Sequence, residues 1–380
     1  MKRLLTILII LLQTQVYANM ANPIIEGTLG GRPFVSEYVD VFHEDLFIKI
    51  DENFEYASFN VKYHINSSKD GFQIPFLFYA SEYLDSFSVS IDGKEVNIND
   101  IPYDYKVPGN TKFKDFSYFF ESPPHNDYNS VVLADSPNGG FHVSLHNMIY
   151  FETDIPKGKH VIEVSYRATK WIDTWDWVNE YSFRYALSPA KYWKSFGTLN
   201  IKVDATNFDK ELTTNLGSTK AGDLKSIAEW KFDKIPTEIL QINYKPKIRN
   251  TAQTLIIISP SGLAFITGAV FVILHLLIVI WYRKKNQSKR FSLAVIIGCI
   301  LVPLLFLICW INYYDVIDSY IGKHAGRTHG YTFFLLGLYP LITPIYWLIC
   351  WLIDKQIKKK YTPQQQLRNH TFTKRQRHGS

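Results

Sequence analysis

The sequence predicts a mainly β extracytoplasmic domain followed by three transmembrane α-helices. Apolar and polar residues alternate with period two in short runs from Glu26 to Tyr244, which is typical of half-buried strands. Three apolar blocks follow Thr251, and each has about the twenty residues that a helix needs to cross a bilayer. A basic and then apolar N-terminus precedes both features and predicts export of the domain.

The N-terminus has the composition of a secretory signal peptide. Lys2 and Arg3 precede the apolar run Leu4–Leu12, and Ala18 provides a small residue at the expected cleavage position. The apolar run is too short to span a membrane as a stable helix. We therefore expect residues 1–18 to direct export and to be removed.

The basic residues near the apolar blocks indicate how the chain crosses the membrane. Five positive charges and no negative one lie between the first two blocks, and the segment after Asp354 is also strongly basic. The connection between the second and third blocks is balanced, because Asp315 and Asp318 offset Lys323 and Arg327. Since basic connections stay in the cytoplasm, the β domain is expected on the outer side. Helices rather than strands cross the membrane, so we expect the bacterial inner (cytoplasmic) membrane.

These observations divide the chain into eight segments. The predicted order is signal peptide 1–18, extracytoplasmic domain 19–250, helix 251–282, cytoplasmic loop 283–290, helix 291–312, extracytoplasmic loop 313–330, helix 331–353 and basic cytoplasmic tail 354–380.

The exported domain is expected to be a β-sandwich, or two sandwiches stacked on each other. Many short strands without intervening amphipathic helices favour packed antiparallel sheets. One sandwich would run from Glu26 to about Val96 and a second element from about Phe141 to Tyr244, with a long connection at 101–136. Asp92-Gly93 predicts a tight hairpin turn after the strand that ends at Ile91.

Composition excludes two classes of protein for the exported domain, namely nucleic-acid-binding proteins and small cysteine-rich modules. Between Asn19 and Asn250 there are 32 acidic and 24 basic residues, a balance of −8, which argues against binding nucleic acid. The three cysteines, Cys299, Cys309 and Cys350, all lie in the later apolar blocks. The domain therefore has no disulfide and must fold on its buried apolar surface alone.

Several short motifs between Glu26 and Asp204 follow one order. They are Glu26-Gly27 with Gly30-Gly31, His43-Glu44-Asp45-Leu46-Phe47-Ile48, Phe59-Asn60-Val61-Lys62-Tyr63, and Tyr185-Ala186-Leu187 followed by Trp193. This order resembles an uncharacterised family of secreted bacterial β-rich proteins, a domain of unknown function. His64-Ile65 before Asn66 departs from the family pattern. The resemblance implies a bacterial origin and an envelope location, and it implies no chemistry.

One segment is dense in aromatic residues with carboxylates between them. Exposed aromatic rings beside carboxylates stack on sugars or form the centre of a protein interface, whereas buried ones simply pack between sheets. Both interpretations are open. The candidate partner- or glycan-binding residues are Trp171, Trp175, Trp177, Tyr181 and Trp193.

Three histidines form a second candidate site. His142 and His146 alternate with apolar residues on a predicted strand, so they share one face, and His125 precedes them in the chain. Such a set suits a zinc ion or a hydrolase, although no known catalytic motif accompanies it. Polar side chains that are simply exposed on the surface of the sheet would give the same pattern.

The sequence therefore favours a non-enzymatic, membrane-anchored envelope protein that binds a protein or glycan partner. No cofactor is expected. Two alternatives stay open: an accessory subunit of a membrane transport or export complex, and a metal-dependent envelope hydrolase that uses His125, His142 and His146. His275 is the one ionisable residue inside the predicted spans, where packing or a hydrogen bond is the expected role.

Overall fold

A computed structural model describes residues 24–31, 39–101, 119–120, 130–134, 141–144, 148–187, 190, 197–217, 224, 226–286, 291–326 and 329–377. The chain forms two compact units. One is the β-rich unit Pro23–Pro246, and the other contains the helices after Lys247. The predicted signal peptide, residues 1–18, lies outside the described residues.

The β-rich unit contains eighteen described strands in three sheets. They are β1 (Ile24–Ile25), β2 (Leu29–Gly31), β3 (Val39–Ile50), β4 (Tyr56–Ser67), β5 (Gly71–Ser81), β6 (Tyr83–Ile91), β7 (Lys94–Glu95), β8 (Phe119–Phe120), β9 (Ser130–Ala134), β10 (Phe141–Ser144), β11 (Met148–Ile155), β12 (Gly158–Thr169), β13 (Trp171–Asp173), β14 (Glu180–Ala186), β15 (Thr198–Asp204), β16 (Thr213–Thr214), β17 (Ile227–Phe232) and β18 (Ile239–Tyr244).

Two larger sheets carry most of these strands. The seven-stranded sheet has the order β17-β15-β3-β4-β12-β6-β7, and the eight-stranded sheet has the order β1-β13-β14-β2-β5-β11, with β18 and β16 attached through β14. Both sheets are mixed, because β15 runs parallel to β3 and β14 runs parallel to β2. A third, small sheet contains β10, β9 and β8.

The inward side chains of the two larger sheets share one hydrophobic core. On β4 the predicted alternation is confirmed, since Phe59, Val61 and Tyr63 are buried while the residues between them are more exposed. Phe59 stacks on Tyr185 of the other sheet with ring centroids 6.0 Å apart. Each fully buried large apolar side chain contributes about 1.5–3 kcal/mol, so this core supports the unit without disulfides.

The expected division into an N-terminal sandwich and a later second element differs from the pairing observed. β12 pairs with β4 along its whole length, and β11 pairs with β5. Strands from both predicted parts therefore build the same sheets. Most of the predicted connection 101–136 lies outside the described residues. The described part of it includes the strands β8 and β9.

Three helices of the second unit are long and apolar enough to cross a membrane. They are α1 (Asn250–Lys285), α2 (Leu293–Ile321) and α3 (Tyr339–Arg377). Residues Gly322–His324 and Gly330–Leu338 form 3-10 helix between α2 and α3. Most of the predicted loop 313–330 is thus helical, because α2 continues nine residues past the predicted end at 312.

α1 is interrupted at Ser259, which has φ 66° and ψ 160°. The Ser259 hydroxyl accepts a hydrogen bond from the Gly262 backbone N–H at 3.3 Å, and Pro260 occupies the first position of the new helical segment. Serine followed by proline is the preferred start of a helix. The apolar segment that follows, 260–285, measures about 39 Å at 1.5 Å per residue, which is enough to cross the hydrocarbon core.

Candidate functional site

The predicted aromatic cluster is divided by the fold. Trp171 is buried in β13 and donates from Nε1 to the Thr28 carbonyl at 2.9 Å. Tyr181 is buried in β14 and stacks on Tyr244 with ring centroids 6.0 Å apart. These two residues are core residues. Trp177 is half-buried, and Trp193 lies outside the described residues.

Trp175 differs from its neighbours because 58% of it is exposed. It lies in the turn between β13 and β14, where its backbone N–H donates to the Asp173 carboxylate at 2.8 Å. The next residue, Asp176, forms an ion pair with Lys245 at 3.0 Å. An indole ring therefore projects to the outside from a turn that side-chain contacts hold in place.

The predicted histidine site is described only in part. His142 lies on β10 opposite Val132 of β9, which agrees with the predicted strand. His125 and His146 lie outside the described residues. The metal site at His125, His142 and His146 therefore stays a prediction.

A different cluster of polar side chains lies on the outer face of the seven-stranded sheet. It contains His43 and Asp45 of β3 and His64 of β4. Within the part of the chain that the structure describes, it is the one group of three such side chains close enough to hold a metal ion, with their donor atoms within 4.8 Å of one another. We call these three residues the sheet-face cluster.

A β-bulge in β3 places the sheet-face cluster on the outer face. Val41 pairs with Ile65 and His43 pairs with His64, so Phe42 is the extra residue of the bulge. Val41 and Glu44 consequently both face the core, while His43 and Asp45 face outwards. Bulges re-aim side chains in this way.

The neighbouring strand β15 completes the surroundings of the cluster. Its Thr198 and Asn200 pair with His43 and Asp45 in parallel register. Gly197 permits this close approach, because a Cβ atom there would lie 1.6 Å from the carbonyl oxygen of Phe42. The cluster therefore lies on two adjacent strands in the interior of the sheet, and β15 borders it on one side.

Short polar contacts connect the cluster. His43 Nε2 lies 3.1 Å from Asp45 Oδ1, and His64 Nε2 lies 3.3 Å from Asp45 Oδ2. The other ring nitrogen of His43, Nδ1, lies 2.5 Å from the Thr198 hydroxyl. Asn200 Nδ2 donates to Asp45 Oδ1 at 2.9 Å.

The electrostatics of the cluster favour an ionised carboxylate. Burial alone would raise the pKa of Asp45, but hydrogen bonds from Asn200 and the two histidines, with the charge of His43, outweigh it. The net pKa of Asp45 is below the ordinary value of 3.8. At neutral pH the cluster therefore presents an anionic oxygen pair between two imidazoles.

Sequence reasoning did not identify the sheet-face cluster. His43 and Asp45 are two residues apart, which places them on one face of a strand, and that spacing was the available signal. The pairing of His64 with His43 depends on strand register over twenty residues. Thr198 and Asn200 of β15, which contact the cluster, lie more than 130 residues after His64 in the chain.

His275 is buried among the three helices. Its Nε2 lies 3.0 Å from the Ala294 carbonyl and its Nδ1 lies 2.7 Å from the Tyr346 hydroxyl. A neutral ring satisfies both contacts when Nε2 donates and Nδ1 accepts. The expected packing and hydrogen-bonding role of His275 is confirmed.

No protein-family model matches the chain, and no curated protein matches it. Among solved structures the similarity is limited, as two examples show. Leukotriene A4 hydrolase from Saccharomyces cerevisiae is 11% identical with a TM-score of 0.29, covering 55% of this chain and 29% of that chain. M1 zinc metallopeptidase from Deinococcus radiodurans is 11% identical with a TM-score of 0.27, covering 57% of this chain and 46% of that chain. The chain thus spans less than half of either protein, and similarity at these TM-scores carries no argument about fold or activity.

Proposed function

We propose that this protein is a non-enzymatic bacterial envelope protein, anchored in the cytoplasmic membrane, whose β domain binds a protein or glycan partner on the outer side. The domain would be a β-sandwich, and the tail would lie in the cytoplasm. The helices supply the anchor, since three of them are long and apolar enough to cross a membrane.

Charge supports the proposed orientation. Arg283 is paired with Asp354, so it contributes little to the basic character of the connection between α1 and α2. Lys284, Lys285, Lys289 and Arg290 still make that connection positive. The positive-inside rule then assigns this connection and the C-terminal tail to the cytoplasm.

The exposure of Trp175 is the observation that carries the proposed binding role. A tryptophan that contributes to folding is buried, as Trp171 is, whereas Trp175 is 58% exposed. Tryptophan is among the residues most enriched at the energetic centres of interfaces, and it also stacks on sugar rings. Exposure of this ring has its natural explanation in a partner that covers it.

Photo-crosslinking in intact membranes tests the proposal. The full chain would carry benzoylphenylalanine at position 175 or, as a matched control, at position 227, where Ile227 of β17 is 45% exposed. We expect an ultraviolet-dependent adduct at 175 and none at 227. Loss of the adduct's added mass on treatment with a glycan-cleaving enzyme would identify a glycan partner, and partner peptides in its mass spectrum would identify a protein. Absence of an adduct at 175, or equal adducts at both positions, would contradict the proposal.

Substitution of Trp175 gives a second readout. If this ring is a central contact, Trp175→Ala weakens partner binding by about 2 kcal/mol, which is roughly 30-fold. Trp175→Phe keeps an aromatic ring and should retain part of that affinity. Equal affinity of the Ala variant and the unmodified chain would show that Trp175 is not part of the interface.

A further inference from the structure

We propose that His43, Asp45 and His64 bind a divalent transition-metal ion, and that Zn²⁺ is the ion that suits these donors best. The proposal goes beyond the partner-binding role, since the sheet-face cluster lies on the seven-stranded sheet and Trp175 follows β13 of the other sheet. Either proposal can therefore fail without the other.

The donor set has the composition of a known type of zinc site. Two imidazoles and one carboxylate bind Zn²⁺ at about 2.0–2.2 Å and leave one position of the tetrahedron open. Magnesium and calcium ions prefer a ligand set made only of oxygen atoms. Because two of the three donors here are nitrogen atoms, the cluster favours a transition metal.

The separations within the cluster fit a tetrahedral ion. Two ligands at about 2.05 Å from a tetrahedral metal are roughly 3.3 Å apart. The distance from Asp45 Oδ1 to His43 Nε2 is 3.1 Å and that from Asp45 Oδ2 to His64 Nε2 is 3.3 Å, and one donor atom from each of the three residues lies within 4.8 Å of the others. A metal ion could thus be bound between the three side chains with little movement of the strands that carry them.

Neighbouring side chains hold two of the ligands in orientations suited to a metal. A metal-bound His43 would keep its proton on Nδ1, donate it to the Thr198 hydroxyl, and bind the ion through Nε2, the nitrogen that lies 3.1 Å from Asp45. Asn200 fixes the carboxylate of Asp45 from the same neighbouring strand. Hydrogen bonds of this kind fix the tautomer and ring orientation of histidines that bind metals.

The site is open on its outer side. The side chains of His43, His64 and Asp45 are 22%, 31% and 43% exposed, so solvent reaches the donors while the sheet supports them from below. Water or a side chain of another molecule would fill the fourth position. The metal would also link β3 and β4 through their side chains.

Zinc titration of the purified full chain in mild detergent tests this proposal. After removal of metal with a chelator, we expect one tightly bound zinc ion per chain by elemental analysis, and loss of this binding in His43→Ala and His64→Ala. Asn200→Ala keeps all three ligands and should weaken binding by about 10–100-fold, the usual effect of removing a supporting hydrogen bond. Binding of Co²⁺ should give the visible absorption bands of a tetrahedral ion.

The matched control is His160→Ala. His160 lies on β12 of the same sheet, but its Nδ1 is 2.7 Å from the Asp92 carboxylate and it belongs to no part of the cluster. It should retain zinc, as should His142→Ala. Circular dichroism would establish that each variant folds. If His64→Ala does not fold, His64→Gln takes its place. Absence of stoichiometric zinc, or zinc retained by a folded His64 variant, would overturn the proposal and leave a hydrogen-bonded cluster only.

Discussion

The guanidinium of Arg283 and the carboxylate of Asp354 form a buried, two-point ion pair between α1 and α3. Arg283 Nε lies 2.7 Å from Asp354 Oδ1, and Nη2 lies 2.5 Å from Oδ2. The two side chains are only 2% and 10% exposed. The pair therefore brings the C-terminal end of α1 next to residue 354 of α3.

Removing one partner of this pair should destabilise the helical unit. Asp354→Ala leaves a buried guanidinium without its counter-charge, which costs about 3–5 kcal/mol. We expect a clear drop in thermal midpoint in detergent, against a change within about 0.5 kcal/mol for the exposed Lys284→Ala. The double variant Arg283→Met/Asp354→Leu should recover much of the loss, because it leaves no unpaired charge. If Asp354→Ala and Lys284→Ala have the same thermal midpoint, the ion pair contributes nothing to the stability of the helical unit.

A polar cluster inside the β core gives a second prediction. The hydroxyls of Tyr63 and Tyr185 are 2.6 Å apart, and Tyr185 donates to the buried Glu44 at 3.3 Å. Tyr185→Phe removes a hydrogen-bonding group from both neighbours, so it should lower the free energy of unfolding by about 1–3 kcal/mol. Chemical denaturation of the full chain measures this loss.

Tyr166→Phe is the matched control for that prediction. Burial, together with the charge of Glu44, raises the pKa of the Tyr166 phenol, so the group is neutral at physiological pH. Its hydroxyl has no hydrogen-bond partner among the described atoms. Its removal should therefore be neutral or slightly stabilising. Equal destabilisation by Tyr166→Phe and Tyr185→Phe would show that the Tyr63–Tyr185–Glu44 hydrogen bonds do not stabilise the fold.

The Asp92 turn predicts a pH dependence. The Asp92 carboxylate accepts hydrogen bonds from His160 Nδ1 at 2.7 Å and from the Val161 N–H at 2.9 Å. Burial would raise its pKa, but these hydrogen bonds outweigh burial and lower the pKa below 3.8. A lowered folded-state pKa stabilises the fold above the unfolded-state pKa, and this stabilisation is lost as the pH falls through the folded value.

The comparison of the unmodified chain with Asp92→Asn tests this dependence. The difference in thermal midpoint should be largest above about pH 5 and should shrink towards about pH 2. A difference that stays constant over this range, or grows on acidification, would exclude the carboxylate as the source.

Local features of the fold could be predicted from the sequence. The alternation on β4 identified its buried residues, and Asp92-Gly93 identified the hairpin between β6 and β7, where both residues have positive φ. The three apolar helices were equally clear from composition. Each of these signals depends on residues that are close together in the chain.

Features that depend on distant residues could not be predicted. The sheet-face cluster needs a bulge at Phe42 and the register of β3 against β4 and β15. In the sequence, Arg283 is one of the basic residues of the loop 283–290 and Asp354 is the first residue of the tail, and their pairing requires that α1 and α3 pack together. The exposure of Trp175 and the burial of Trp171 likewise depend on where β13 ends, because Trp171 lies on that strand and Trp175 in the turn after it.

The central claim is that the β domain and the C-terminal tail lie on opposite sides of the membrane. Alkaline phosphatase, which is active only outside the cytoplasm, tests this claim when it is fused to the chain after Lys245 or after Ser380. We expect high activity after Lys245 and none after Ser380, with equal amounts of the two fusion proteins in whole cells. Activity after Ser380, or inactivity after Lys245, would contradict the proposed topology.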